Sequence, residues 1–190
     1  MITLSGITKR FGRKKLFEGF DLTLPDKGVV AITGESGCGK TTLLRMIAGL
    51  DKKYSGKIDR GDVQRISYVF QEPRLLPDCT ALENVSLPSG NTEEAKSNAA
   101  LWLKRVGLEN DLNTYPDELS GGMKMRVSIA RALAYDGDVL LLDEAFNGID
   151  EERTKEIAAL VAEYAKNKLC IIVTHTKEHL DLLNARVIKL

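Results

Sequence analysis

Between the apolar run Val29-Val30-Ala31-Ile32 and the helical run Leu43-Leu44-Arg45-Met46-Ile47-Ala48 stands Gly34-Glu35-Ser36-Gly37-Cys38-Gly39-Lys40-Thr41-Thr42. A β-branched run leading into glycines and out into a helix calls for a strand, a tight loop, and a helix whose positive end faces that loop. The glycines let successive backbone N–H groups turn inward around an anion. At the spacing G-x-x-x-x-G-K-[ST], Lys40 is placed to reach the β- and γ-phosphates, Thr41 to offer its hydroxyl to Mg²⁺, and Thr42 to bond an inner phosphate. The loop therefore predicts nucleotide binding through Gly34, Ser36, Gly37, Cys38, Gly39, Lys40, Thr41 and Thr42. It does not name the reaction.

The rest of the chain narrows the setting. At 190 residues it has room for one well-cored domain with an inserted subdomain. Lys plus Arg equals Asp plus Glu at 27 each, so the balance carries no basic footprint and no nucleic acid partner is expected. The segment Met1-Ile2-Thr3-Leu4-Ser5-Gly6 lacks the basic and apolar stretches of a signal peptide, which predicts a cytosolic protein. No apolar run approaches bilayer length, so any membrane role has to be borrowed from another chain. Cys38, Cys79 and Cys170 have no metal-ligand spacing and fit a reducing compartment.

Apolar runs alternate with helical periods, the pattern of an α/β sheet with crossover helices. Strands are expected near 29–33, 66–70, 138–142, 169–174 and 186–190, and helices near 40–48, 93–106, 121–135, 152–166 and 177–184. Period-two spacing of Ile2, Leu4, Phe20, Leu22 and Leu24 predicts short strands in the first thirty residues, a small N-terminal antiparallel region. Between Gln71 and Ser120 the texture shifts to Pro73, Pro77 and Pro88 followed by an amphipathic stretch with Leu101, Leu103 and Val106, which predicts a helical insertion.

A second anion site is suggested by Leu119-Ser120-Gly121-Gly122-Met123, just before a helix carrying Met125, Val127, Ile129, Ala130 and Leu133. Ser120 is a good N-cap, and the glycines expose N–H groups at a helix start. Either this is an ordinary capped helix, or it serves a nucleotide held by another molecule.

On these residues the chain resembles the nucleotide-binding domain of an ABC-type ATPase of the kind that serves ABC transporters. GESGCGKTT is similar to the family's Walker A loop, and LSGGM to its LSGGQ signature with Met123 in the last place. Val139-Leu140-Leu141-Leu142-Asp143-Glu144 resembles Walker B, Gln71 the Q-loop glutamine, Asp150 the D-loop aspartate and His175 the switch histidine. Phe11 resembles the aromatic platform on which adenine stacks. The motifs stand in family order over nearly the whole chain.

The resemblance implies a P-loop NTPase core of the ABC type, with a catalytic core over 1–71 and 120–190 and a helical subdomain over about 72–119. It implies ATP and Mg²⁺ as cofactors, the metal held through Thr41, Gln71 and Asp143. Glu144 would orient and polarise the attacking water, with Lys40, Gln71 and His175 completing the catalytic set. Ser120, Gly121, Gly122 and Asp150 would meet a nucleotide held by a second copy or a paralogous ATPase subunit. Transmembrane permease subunits would dock near Pro73-Arg74-Leu75-Leu76-Pro77, placing the protein on the cytoplasmic face of a membrane. A soluble ABC-type ATPase not coupled to transport is the alternative, and a single-chain nucleotide kinase has no use for LSGGM. Three departures bear on this. Met123 replaces Gln; Ala145-Phe146-Asn147-Gly148-Ile149-Asp150 replaces the usual Pro-Thr-Ser-Ala-Leu-Asp; and the short Ser55–Tyr68 segment predicts a trimmed antiparallel sheet. The chain closes soon after His175, which predicts a minimal motor without a regulatory domain.

Overall fold

A computed structural model describes residues 1–12 and 14–190. Among them, β3 (Gly28–Thr33), β5 (Ile66–Val69), β6 (Val139–Asp143), β7 (Leu169–Val173) and β8 (Arg186–Lys189) form a parallel sheet in the order β5-β6-β7-β3-β8. β1 (Ile2–Phe11) lies between β2 (Lys14–Leu24) and β4 (Ser55–Asp59) in a second, antiparallel sheet.

The central strands β3, β6 and β7 are apolar at nearly every position because both of their faces are covered. Alternate residues serve different cores. Val30, Ile32, Leu141 and Ile171 pack with α1 (Lys40–Ile47) and the antiparallel sheet. Ala31, Leu140, Leu142, Cys170 and Ile172 face the other way, into the core built with α4 (Gly121–Tyr135) and α5 (Glu151–Ala165). α2 (Ala81–Ser86) and α3 (Glu93–Arg105) pack on α4, and α6 (Lys177–Leu182) follows β7. No helix among the described residues is long and apolar enough to cross a membrane.

The first thirty residues hold two long strands, of 10 and 11 residues, in place of the short ones expected. Irregular register between Leu4 and Ile7, and again between Ile7 and Arg10, interrupts the alternation from which strand length is read. The parallel strands and long helices stand within a residue or two of their expected places.

Candidate active site

Four segments leave the parallel sheet at the carboxyl ends of neighbouring strands. The phosphate-loop sequence follows β3, Gln71 follows β5, Glu144 follows β6 and His175 follows β7. Open α/β sheets bind their ligands at this edge.

Gly39 caps α1 with φ 113°, and a Cβ there would stand 2.8 Å from Phe17 and 2.9 Å from Leu16. Only glycine combines that backbone with that proximity. Lys40 is buried, and its ammonium donates to the carbonyls of Gly34 and Glu35 at 2.9 Å each, across the loop. The Thr41 hydroxyl donates to Asp143 Oδ1 at 3.0 Å, and the Tyr68 hydroxyl to Oδ2 at 3.3 Å. Burial pushes the Asp143 carboxyl above its usual range; the two hydroxyl donors pull it down, and the charge of Glu144 raises it further.

Glu144 is held from three sides. Gln71 Nε2 donates to Oε2 at 3.2 Å, Asn147 Nδ2 donates to the same oxygen at 3.0 Å, and His175 Nε2 stands 3.3 Å from Oε1. Gln71, Glu144 and His175 border a cleft of about 320 Å³. Of the residues expected to bind nucleotide, Phe11, Ser36, Gly37, Gly39, Lys40, Thr41 and Thr42 line it together with Gln71, Glu144 and His175. Gly34 and Cys38 do not; a Cβ on Gly34 would meet Cys38 Sγ at 2.8 Å, and that sulfur lies 3.9 Å from the Lys40 ammonium. Asp143 is buried beside Thr41.

The remaining expected residues stand apart from the cleft. Ser120 caps α4, its hydroxyl accepting from the Met123 N–H, and the Asp150 carboxylate caps α5 by accepting from Arg153 N–H at 2.9 Å. Ser120, Gly121 and Asp150 are exposed, and none of these residues or Gly122 lines the cleft. Gly122 and Gly148 are in close approach, since a Cβ on Gly122 would meet the Gly148 carbonyl at 2.5 Å. One chain thus gathers the Gly34–Thr42 loop, Asp143 and Glu144 at one edge of the sheet while presenting the N-terminus of α4 elsewhere.

Sequence reasoning missed Lys14 and Leu16, which line the cleft, and Asn147, which bonds Glu144. Lys14 Nζ reaches the Gly37 carbonyl at 3.3 Å from the start of β2. Its signal, a basic residue just after the Phe11-Gly12 turn, is too common to be read alone.

Residues 17–147 match the family described as ABC transporter, well over half of the chain. The chain belongs to that family. Among its relatives, the aliphatic sulfonates import ATP-binding protein SsuB 1 of Paraburkholderia xenovorans is 37% identical over 193 residues, covering 98% of this chain and 56% of that protein. A SsuB 1 protein of Mesorhizobium japonicum is 38% identical, covering 96% of this chain and 72% of that one. The chain therefore spans little more than half the length of the first of these. A dimeric ATP-binding cassette, MJ0796, solved in a post-hydrolysis state bound to ADP and Pi, superposes with a TM-score of 0.89 at 32% identity, over 100% of this chain and 94% of that one.

The departures from the ABC pattern have local explanations. Met123 packs against the helical core, so its side chain contributes apolar contact where a glutamine would bring an amide. In the altered segment after Glu144, Ala145 and Phe146 are buried in the same core and Asn147 turns back to the carboxylate.

Proposed function

We propose that this ABC chain is the ATP-binding and ATP-hydrolysing subunit of a membrane transporter, working by nucleotide-driven head-to-tail pairing. One observation carries the reading: the cleft holds Lys40, Thr41, Gln71, Glu144 and His175, while Ser120–Gly122 and Asp150 stand outside it. A second copy or a paralogous subunit would bring its own signature against the nucleotide. The dimeric MJ0796 cassette with bound ADP and Pi supports this, as do relatives named as import ATP-binding proteins.

ATP would lie with its base against Phe11 and its phosphates in the N–H cradle ahead of α1, where the Lys40 ammonium neutralises charge on the outer phosphates. Glu144 would orient the attacking water and accept its proton, held in place by Gln71, Asn147 and His175. His175 would in turn donate to the γ-phosphate, so that the residue beside the Glu144 carboxylate also meets the phosphate. The oxygens of Thr41, Asp143 and Gln71 fit Mg²⁺, a hard cation that takes oxygen ligands, with one or two carboxylates beside substrate phosphates; the Thr41 and Asp143 oxygens already stand 3.0 Å apart. Bound there, Mg²⁺ would offset charge on the β- and γ-phosphate oxygens during transfer.

Pro73–Pro77 is the proposed docking segment for transmembrane permease subunits, which would hold the chain on the cytoplasmic face of the membrane. Residues 72–119 would act as the helical subdomain that carries it. Arg131 of α4 donates to the carbonyls of Pro73 and Arg74 at 2.9 and 3.0 Å, which joins the helix capped by Ser120 to this segment. Closure at the nucleotide would thereby be passed toward the permease.

Glu144→Gln tests the assignment, because it keeps the side-chain shape and removes the base. ATP binding should persist while phosphate release falls by about 10²-fold or more, and ATP should hold the variant as a dimer on size-exclusion chromatography. Hydrolysis at the parent rate would overturn the assignment.

A further inference from the structure

Base and phosphates are bound by different sheets in this reading, since Phe11 ends β1 of the antiparallel sheet and the phosphate loop follows β3 of the parallel one. Something has to set the separation between them. Phe11 is 54% exposed, so packing alone does not fix its ring. Lys9, two residues earlier, is 3% exposed, and the proposed hydrolysis makes no use of it. Its ammonium donates to both Asp51 carboxylate oxygens, at 2.8 and 2.6 Å, and to the Lys53 carbonyl at 2.9 Å. All three of its hydrogens are thus directed. The same nitrogen lies 4.8 Å from the centroid of the Phe11 ring, within cation–π range.

Asp51 follows α1, and its N–H donates to the Arg45 carbonyl at 3.1 Å, so the carboxylate that grips Lys9 is anchored to the helix that the phosphate loop begins. A buried ion pair removed from the chemistry is weak evidence of stability, because desolvating both ions offsets their attraction. In some proteins such a pair serves to fix one geometry. Here it ties the strand carrying the aromatic ring to the far end of the phosphate-loop helix and sets a cation against that ring.

We infer that Lys9, gripped by Asp51, is a positioning residue that orients the Phe11 ring for nucleotide-base stacking. This rests on the proposal that Phe11 stacks on adenine. It acts through Phe11 and touches no phosphate, so its removal should weaken binding of ligands with a base and spare those without one.

The test compares ATP with inorganic tripolyphosphate, titrated calorimetrically into the whole protein with chelator present so that no turnover occurs. Lys9→Met should weaken ATP roughly three- to tenfold and leave tripolyphosphate unchanged. Phe11→Ala should weaken ATP about tenfold, and adding Lys9→Met to it should cost nothing more, since residues that act as one unit are not additive. Equal losses for both ligands, unchanged ATP affinity in Lys9→Met, or full additivity in the double variant would each overturn the inference. Unchanged ATP affinity in Phe11→Ala would instead overturn the stacking proposal beneath it. If Lys9→Met does not fold, Asp51→Asn, which keeps the cation and loosens its hold, carries the same comparison: selective loss of ATP supports the inference, and equal or no loss overturns it.

Discussion

Glu144 reaches the cleft on a backbone that few residues tolerate, with φ at +53°. A side chain pays about 1–2 kcal/mol for that left-handed conformation, and two hydrogen bonds hold it there: Glu144 N–H to the Val173 carbonyl at 3.0 Å and Asn147 N–H to the Glu144 carbonyl at 3.2 Å. Asn147 therefore grips Glu144 twice, once through the backbone and once through its amide side chain. Asn147→Ala leaves the backbone bond and removes the other. Turnover should fall roughly ten- to a hundredfold, in keeping with one hydrogen bond to a charged group at about 1.5–3 kcal/mol, with ATP affinity unchanged; steady-state phosphate release beside equilibrium binding checks this split. An equal loss in both would mean that Asn147 supports the loop as a whole. Glu144 could be read from sequence because four apolar residues before Asp143 announce a buried strand that delivers the next carboxylates to the sheet's edge. Asn147 could not, because its contact exists only once the turn is made, and Lys14 and Leu16 reach the cleft only after the hairpin of β1 and β2 lies over the loop.

Elements follow the same division. Helices α1, α3, α4 and α5 and the buried parallel strands were legible because each carries a sustained apolar pattern. α2 has six residues, too few to show a period, and it is the structure that shows its N-terminus closed by a Thr80–Glu83 capping box. β4 hid in Ser55–Asp59, where only Ile58 is apolar and pairing with β1 supplies the order. Between elements the closest constraint is Gly122 of α4 against the Gly148 carbonyl ahead of α5. Gly122→Ala must push that turn aside, and overpacking against backbone should cost about 1–3 kcal/mol. Gly121→Ala is the matched control, because a Cβ there meets nothing within 4 Å. Thermal unfolding should show a lowered Tm for the first variant and none for the second, and equal behaviour would mean that the turn yields freely.

At the scale of the whole molecule, the cleft and the exposed N-terminus of α4 stand apart, and the proposal is that a second chain unites them. If Lys40 of one chain and Ser120 of another hold the same ATP, Lys40→Ala and Ser120→Arg should each silence a homodimer at both sites. In a mixed dimer both lesions fall on one site. The other pairs an intact phosphate loop with an intact signature, so random mixing in equal amounts should leave roughly a quarter of all sites whole by the symmetry of a two-fold assembly. A site contained within one chain would gain nothing from mixing. Each variant is measured alone and after the two are unfolded and refolded together, with differential tags to count mixed dimers and permease subunits supplied if the isolated chain is silent. Activity recovered on mixing supports the shared site. No recovery with mixed dimers present would refute independently working shared sites, and failure of the two variants to pair at all would point to a different ATPase subunit as the natural partner.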